Sequence, residues 1–462
     1  MSSSDQPSGH QTHVALFPSA GMGHLVPFLR LTNTLLRHNC KLTLITSHPS
    51  VSSAESHLIS RFLSAFPQIT ELKFHILPLD PSIANSDDPF FLQFEAIRRS
   101  VHILNSPLSS LSPPLSALVC DVALISSSLQ LTATLNIPNY ALFPSSAKML
   151  SLFAYYPVAK MSDPSSDFIR IPAIGSIPKK SLPPPLLVNN SIFEKIFSQD
   201  GQRIRELNGI LINAMDTIEG DTLTALNSGM VLNGLPPVIP IGPLLPCDFE
   251  NPDAKSPIKW LDNLPPRSVV FACFGSRTAA SRDQIKEIGS GLVSSGYRFL
   301  WAVKDKVVDK EDKEGLEEIV GEELMKKLKE KGMVLKEWVN QQEILGHRAV
   351  GGFISHCGWN SVMEAGLKGV PILGWPQIGD QMVNAELIAK KGVGMWVEEW
   401  GWGQTCLVKG EELAGRIKEM MESEALRKQA AKFRDEAIKA VEVGGSCDRA
   451  IEGLIGRWRK GT

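Results

Sequence analysis

The chain has no surplus of charge. Its 462 residues hold 47 Lys and Arg against 49 Asp and Glu, a formal net charge of -2 at pH 7. Nucleic acid and anionic lipid are bound through a basic excess, so neither is expected as a partner. No apolar run approaches the ~18 residues that cross a bilayer, and the polar start MSSSDQPSGHQTH lacks the apolar centre of a signal peptide. A cytoplasmic protein without membrane contact is expected. There is no C-x-x-C pair and no HExxH, and Cys40, Cys120, Cys247, Cys273, Cys357, Cys406 and Cys447 are scattered and odd in number. Neither a disulfide framework nor a common zinc site is indicated, and reduced thiols are expected. The sequon Asn189-Asn190-Ser191 should then stay unmodified. The GxxxxGK[ST] loop of a P-loop nucleotidase is absent too.

What remains is an ordinary globular composition, 43% hydrophobic and 21% charged, with 36 Gly and 31 Pro. At about 100–200 residues per domain, the length suits two or three domains with real cores. A monomer is expected. Short runs rich in Val, Ile and Leu alternate with amphipathic stretches: HVALFP (13–18), CKLTLIT (40–46), FHILPL (74–79), ALVCDV (117–122), NYALF (139–143) and GILINA (209–214). Continuous apolar strands separated by helices mean a parallel sheet covered on both faces. From residue 236 the texture turns proline-rich and non-periodic, and the alternation restarts with SVVFACF (268–274), YRFLWAV (297–303), MVLKEW (333–338), GGFISH (351–356), VPILGW (370–375) and GMWVEE (394–399). The expected division is a first domain over 1–245, a linker over 246–257, a second domain over 258–440, and a last helix over 441–462 that returns to the first domain. Two doubly wound sheets face each other across a cleft, where such folds bind ligands.

The first strand ends in Ser19-Ala20-Gly21-Met22-Gly23-His24, which has two of the three glycines of a dinucleotide fingerprint. The second strand ends in Thr46-Ser47-His48 with no acid for a ribose, which argues against a nicotinamide enzyme. The loop instead sets a His at the mouth of a helix. The partial positive charge there disfavours imidazolium and is expected to keep the ring neutral near pH 7, as a general base requires.

The most informative stretch runs from Trp338 to Gln381. His356-Cys357-Gly358-Trp359-Asn360-Ser361 leaves a strand and opens a helix, so backbone amides, an Asn, a Ser and a His converge where an anion would sit. That is a diphosphate cradle. Glu364 lies one turn deeper on the same face, placed to accept two ribose hydroxyls. Trp338 offers a flat face for a nucleobase, Gln341 can bond a pyrimidine edge, and Asp380-Gln381 follow the next strand, where they can read sugar hydroxyls. Each has an unremarkable alternative in core packing or helix capping, but all fall at strand carboxyl ends.

This W…Q…HCGWNS…E…P…WP…DQ pattern resembles the signature box of plant family 1 UDP-sugar glycosyltransferases, with Asn340 where proline is usual, and the similarity covers essentially the whole chain. The resemblance implies an α/β protein of the GT-B type, two Rossmann-like domains, inversion at the sugar, no metal and no cofactor beyond the donor UDP-glucose. It implies that Ser276, Arg277, Trp338, Val339, Gln341, His356, Trp359, Asn360, Ser361, Glu364, Asp380 and Gln381 hold the donor. His24 becomes the base and Asp121 its partner. Phe17, Phe90, Phe91, Phe94, Phe143, Phe193 and Phe197 are expected around a phenolic acceptor.

Several further stretches, among them SAGMGHLVPFLRL, DPFFLQFEAIRRS, FGSRTA and MWVEEWGWG, are most similar to plant C-glucosyltransferases of 2-hydroxyflavanones and dihydrochalcones such as phloretin. An aryl C-glucoside is therefore the expected product. Flavonoid O-glucosylation is the alternative, and a non-catalytic UDP-sugar-binding protein a remote one.

Overall fold

In the computed structural model, the structure describes residues 11–80, 86, 88–162, 165–247, 257–275, 277, 279–303, 315–336, 339–403 and 405–460. Successive residues of the central strands enter opposite cores, as the two-residue period of a strand demands. In β1 (His13–Phe17), Ala15 and Phe17 pack on one face while Val14 and Leu16 pack on the other. Val269 and Phe271 of β10 (Val269–Cys273) separate from Val270 and Ala272 in the same way. Both sheets are thus buried on both sides, which explains strands that read as unbroken apolar runs.

The first sheet joins β1 to β2 (Lys41–His48), β3 (Thr70–His75), β4 (Ala117–Asp121), β5 (Asn139–Phe143), β8 (Gly209–Ile212) and β9 (Val238–Pro240) in the order β3-β2-β1-β4-β5-β8-β9. A hairpin of β6 (Phe168–Ile171) and β7 (Gly175–Pro178) stands apart from it. The second sheet adds β11 (Arg298–Ala302), β12 (Gly332–Leu335), β13 (Val350–Ser355), β14 (Ile372–Gly374) and β15 (Gly394–Trp396), in the order β12-β11-β10-β13-β14-β15. All pairings within the two sheets are parallel. Strand order reverses between β1 and β4 in one and between β10 and β13 in the other, and ligands of open α/β sheets bind outside such points.

The proline-rich stretch from 236 is not all connector. Val238–Pro240 pairs with β8 as an edge strand, where a proline without an N–H is tolerated, and Ile241, Leu244 and Cys247 are buried in the first domain's core. Most of the expected 246–257 linker lies outside the described residues. Helix Glu424–Val441 ends the second domain's run, and helix Ser446–Lys460 lays Ile451, Leu454, Ile455 and Trp458 into the first domain's core. There Trp458 meets Tyr140 edge-on at 5.7 Å. The cores also interlock, with Val383 packing into the first domain and Met215 and Ile218 into the second.

Helix Ala147–Ser162 opens against the second domain, and its first amides are met from outside the helix. Glu219, buried at 1% exposure, accepts from Ala147 N and Lys148 N, each at 2.9 Å. Burial pushes its carboxyl up to about 7, against those two hydrogen bonds and the charges of Lys391 and Lys148. An acid that binds its proton more tightly when folded loses stabilising effect as pH rises, here across the window from 4.5 to about 7. Glu219→Gln cannot ionise. The melting-temperature difference, wild type minus variant, is expected to fall between about pH 5.5 and about pH 8, equivalent to at most about 2 kcal/mol. Thermal melts at the two pH values check this, and a constant difference would refute it.

Candidate active site

At the first sheet's switch point, β1 passes through Gly21 at φ 96 into helix Met22–Arg37. The positive φ favours glycine, and the Gly21 amide donates to Glu55 Oε1 at 2.9 Å, which ties down the turn. His24 stands in the first turn of this helix. Its Nδ1 lies 2.8 Å from Oδ2 of Asp121, the fully buried last residue of β4, while Oδ1 accepts from Ala123 N at 2.9 Å. An ionised carboxylate only accepts, so Nδ1 carries the proton and Nε2 keeps its lone pair. The expectation that the helix terminus lowers the tendency of His24 to protonate needs correction in its direction. Burial pulls its pKa down and Arg277 adds to that, but the charge and hydrogen bond of Asp121, with Asp380 behind, outweigh both and hold it above the ordinary histidine value.

At the second switch point, β13 ends and the chain turns through Cys357, at a left-handed φ of 63, into helix Trp359–Lys368. This helix has no side-chain cap. Its first amides are therefore available to an anion, as the dipole favours. His356 lies between two glycines, since a Cβ at Gly275 would come within 2.7 Å of its Nε2 and one at Gly358 within 2.5 Å. Burial pulls its pKa down to about 4, against a hydrogen bond to the Cys273 backbone, so the ring is neutral at pH 7. His356 Nδ1 and Asn360 Oδ1 are buried without a hydrogen-bond partner among the described residues.

Asn340 caps the short helix Gln341–Leu345, accepting from Glu343 N at 3.1 Å, which explains how this position does without proline. Gln341 Nε2 then donates to Ser361 Oγ at 3.0 Å and to Glu364 Oε2 at 2.6 Å. Trp338 and Ser276 lie outside the described residues. Val339 is buried in the core, and the Trp359 indole donates to the Asn213 carbonyl of the first domain at 2.8 Å. That leaves Trp359 its backbone amide, not its ring, for a ligand. Asp380 Oδ2 accepts from Ser145 Oγ across the domain boundary and from Asn384 Nδ2 at 2.8 Å. Gln381 Oε1 accepts from Gln377 N at 2.8 Å and Ile378 N at 2.9 Å, so its carbonyl shapes the loop itself.

The phenylalanines divide. Phe94 sits 5.5 Å from the His24 ring, Phe90 lies against Gly21, and Phe91 continues to Phe193 at 5.0 Å. Phe17, Phe143 and Phe197 pack into the large core of the first domain, against Phe74, Phe153, and Phe153 with Tyr156 respectively. Strand and helix periods brought them to the sheet's packed face, which the residue type alone does not reveal. Arg277 spans the cleft, pairing with Asp88 at 2.6 Å, with its guanidinium carbon 4.5 Å from the Phe90 ring centre and 5.2 Å from that of Phe91. Asp88, Ser145 and Arg30 escaped the sequence reading. Asp88 alone carried a signal, as an Asp-Pro start that caps helix Pro89–Ser100.

The family model described as UDP-glucoronosyl and UDP-glucosyl transferase matches residues 189–432. UDP-glycosyltransferase 708G2 of Citrus unshiu is 53% identical over 458 residues, covering 97% of this chain and 96% of its own. UDP-glycosyltransferase CGT of Oryza sativa subsp. japonica is 43% identical, covering 98% and 97%. Among solved structures, LpCGTa in complex with UDP shares 45% identity at a TM-score of 0.87, covering 97% of this chain and 99% of that one. Medicago truncatula UGT71G1 complexed with UDP-glucose shares 28% at 0.84, covering 98% and 99%. Likeness of sequence and of both sheets over nearly the whole length makes this chain a member of the UDP-glucoronosyl and UDP-glucosyl transferase family, a glycosyltransferase of the GT-B fold.

Proposed function

We propose that the protein transfers glucose from UDP-glucose to a ring carbon of a phenolic acceptor of the dihydrochalcone or 2-hydroxyflavanone type, with inversion to the β-anomer. The observation that carries this reading is the meeting of base and cradle: Asn360, second residue of the uncapped helix, donates to the carbonyl of Gly23, neighbour of His24, at 3.3 Å. A donor diphosphate on that helix brings its sugar beside the dyad. The similarity to proteins solved with UDP and UDP-glucose supports the choice of donor.

His24 Nε2 takes the phenol proton, and Asp121 stabilises the imidazolium so formed. The phenolate shares its charge with the ring carbon between two hydroxyls. That carbon attacks the anomeric carbon as the bond from it to the UDP oxygen breaks, and the electron pair leaves with UDP, met by the helix amides, Asn360 and Ser361. The ring regains aromaticity by moving the displaced hydrogen to oxygen, and His24 passes its proton to solvent. The scheme assigns no role to a metal. Whether carbon or oxygen attacks depends on which atom the pocket holds in line. Arg277, fixed over Phe90 and Phe91 by Asp88, supplies a cation that can retain the phenolate oxygen and leave the carbon forward.

Phloretin incubated with UDP-glucose is expected to give a product that survives acid hydrolysis, as an aryl C-glucoside does. Release of free glucose with recovery of phloretin would identify an O-glucoside and overturn the carbon assignment.

His24→Ala should lower kcat by at least ~10²-fold with UDP affinity nearly intact. Because the base works deprotonated, activity is lost as pH falls through the raised His24 pKa. Asp121→Asn removes the largest influence raising it, so the acid limb of kcat/KM should move to lower pH while the rate drops. An unmoved limb in pH profiles would exclude His24 as the titrating base.

A further inference from the structure

We infer that Arg30 is a positioning residue for the nucleoside end of the donor site, supplied by the opposite domain; the inference rests on the reading that Glu364 receives the ribose. Arg30 Nη2 donates to Glu364 Oε1 at 2.7 Å, with side-chain exposures of 2% and 8%. Gln342 Nε2 reaches the same oxygen at 3.3 Å, while Gln341 Nε2 holds Oε2 at 2.6 Å. These contacts differ in kind. The amides are neutral donors, and Gln341 has Ser361 Oγ at 3.0 Å as a second acceptor, so it can yield Oε2 to a hydroxyl without being orphaned. Arg30 holds a buried carboxylate by a charge-assisted bond that neither partner can give up cheaply. It therefore sets the carboxylate's rotation and leaves the Oε2 edge for the ligand.

The geometry extends this to the reaction. Arg30 stands six residues after His24 in one helix, a rise of about 9 Å. Gly23 and Arg30, seven apart, share a stripe of that helix, as Asn360 and Glu364, four apart, share one of theirs. The two helices are thus joined at both ends of the donor site, Gly23 to Asn360 at 3.3 Å and Arg30 to Glu364 at 2.7 Å. Nucleoside, diphosphate cradle and base are registered against one rigid element, although the donor residues lie in one domain and the base in the other.

The test is discrimination of the ribose hydroxyl, which a purely structural contact would not alter. Calorimetry compares UDP with 2′-deoxy-UDP for wild type, Arg30→Met, Arg30→Lys and Glu364→Ala, with melts to verify folding. Arg30→Met is expected to reduce the wild-type preference for UDP several-fold and to raise KM for UDP-glucose more than it lowers kcat. Arg30→Lys, which keeps the charge and one donor, should fall between. Wild-type preference in folded Arg30→Met would overturn the inference. Should that variant not fold, wild-type preference in Arg30→Lys would do the same. If Glu364→Ala also keeps the preference, the ribose assignment has failed; if Glu364→Ala loses it while the Arg30 variants keep it, only the role of Arg30 has.

Discussion

A helix that starts at a switch point has its amino end at the ligand and its body against the sheet, so two such helices from different sheets can meet only if their domains are held in register. Here the register comes from polar pairs buried at the seam. Arg30 with Glu364, Trp359 with Asn213, Ser146 with Asn384 at 2.8 Å, and Lys148 with Glu386 at 2.7 Å all cross it. Apolar contact alone would tolerate sliding by a methyl group or so. A buried charge or amide separated from its partner loses several kcal/mol, so the seam admits one alignment. His24 and the amino end of helix Trp359–Lys368 are in reach of each other because of it.

The same burial acts oppositely on two histidines of one cleft. His356 has glycines for neighbours and only a backbone hydrogen bond in compensation, and it stays neutral. His24 has a fully buried carboxylate at 2.8 Å, which outweighs the same desolvation. Protonation is thus favoured at one ring and disfavoured at the other.

Much of this was legible along the chain because it is local. Strand ends carry the polar residues of both switch points, and spacing alone puts Asn360, Ser361 and Glu364 on one helical face. What stayed hidden joins residues far apart. Arg30 lies 334 positions from Glu364 and Arg277 lies 189 from Asp88, and no periodicity links them. The phenylalanines misled for a related reason. A run such as NYALF is buried on both faces, so Phe143 could not be sorted from a cleft residue by pattern, whereas Phe90 and Phe94 occupy a helix that flanks the cleft. In PPVIP the prolines masked an edge strand, since an edge asks for only one side of the ladder.

In the proposed reaction the dyad and cradle would account for proton removal and for the leaving group, and neither would distinguish carbon from oxygen as nucleophile. An ambident phenolate offers both atoms within one bond of each other, so the choice must come from something that fixes the ring's orientation to within that distance. A neutral aromatic wall cannot do so, because stacking leaves in-plane rotation free. A cation held at a set point can. Arg277 pairs with a carboxylate from the far domain and lies over two ring faces at 4.5 and 5.2 Å. Its position depends on Asp88 capping helix Pro89–Ser100, whose Phe94 stands beside His24. Under the proposed function, the group that would orient the acceptor and the group that would activate it therefore both lie against one short helix, Pro89–Ser100.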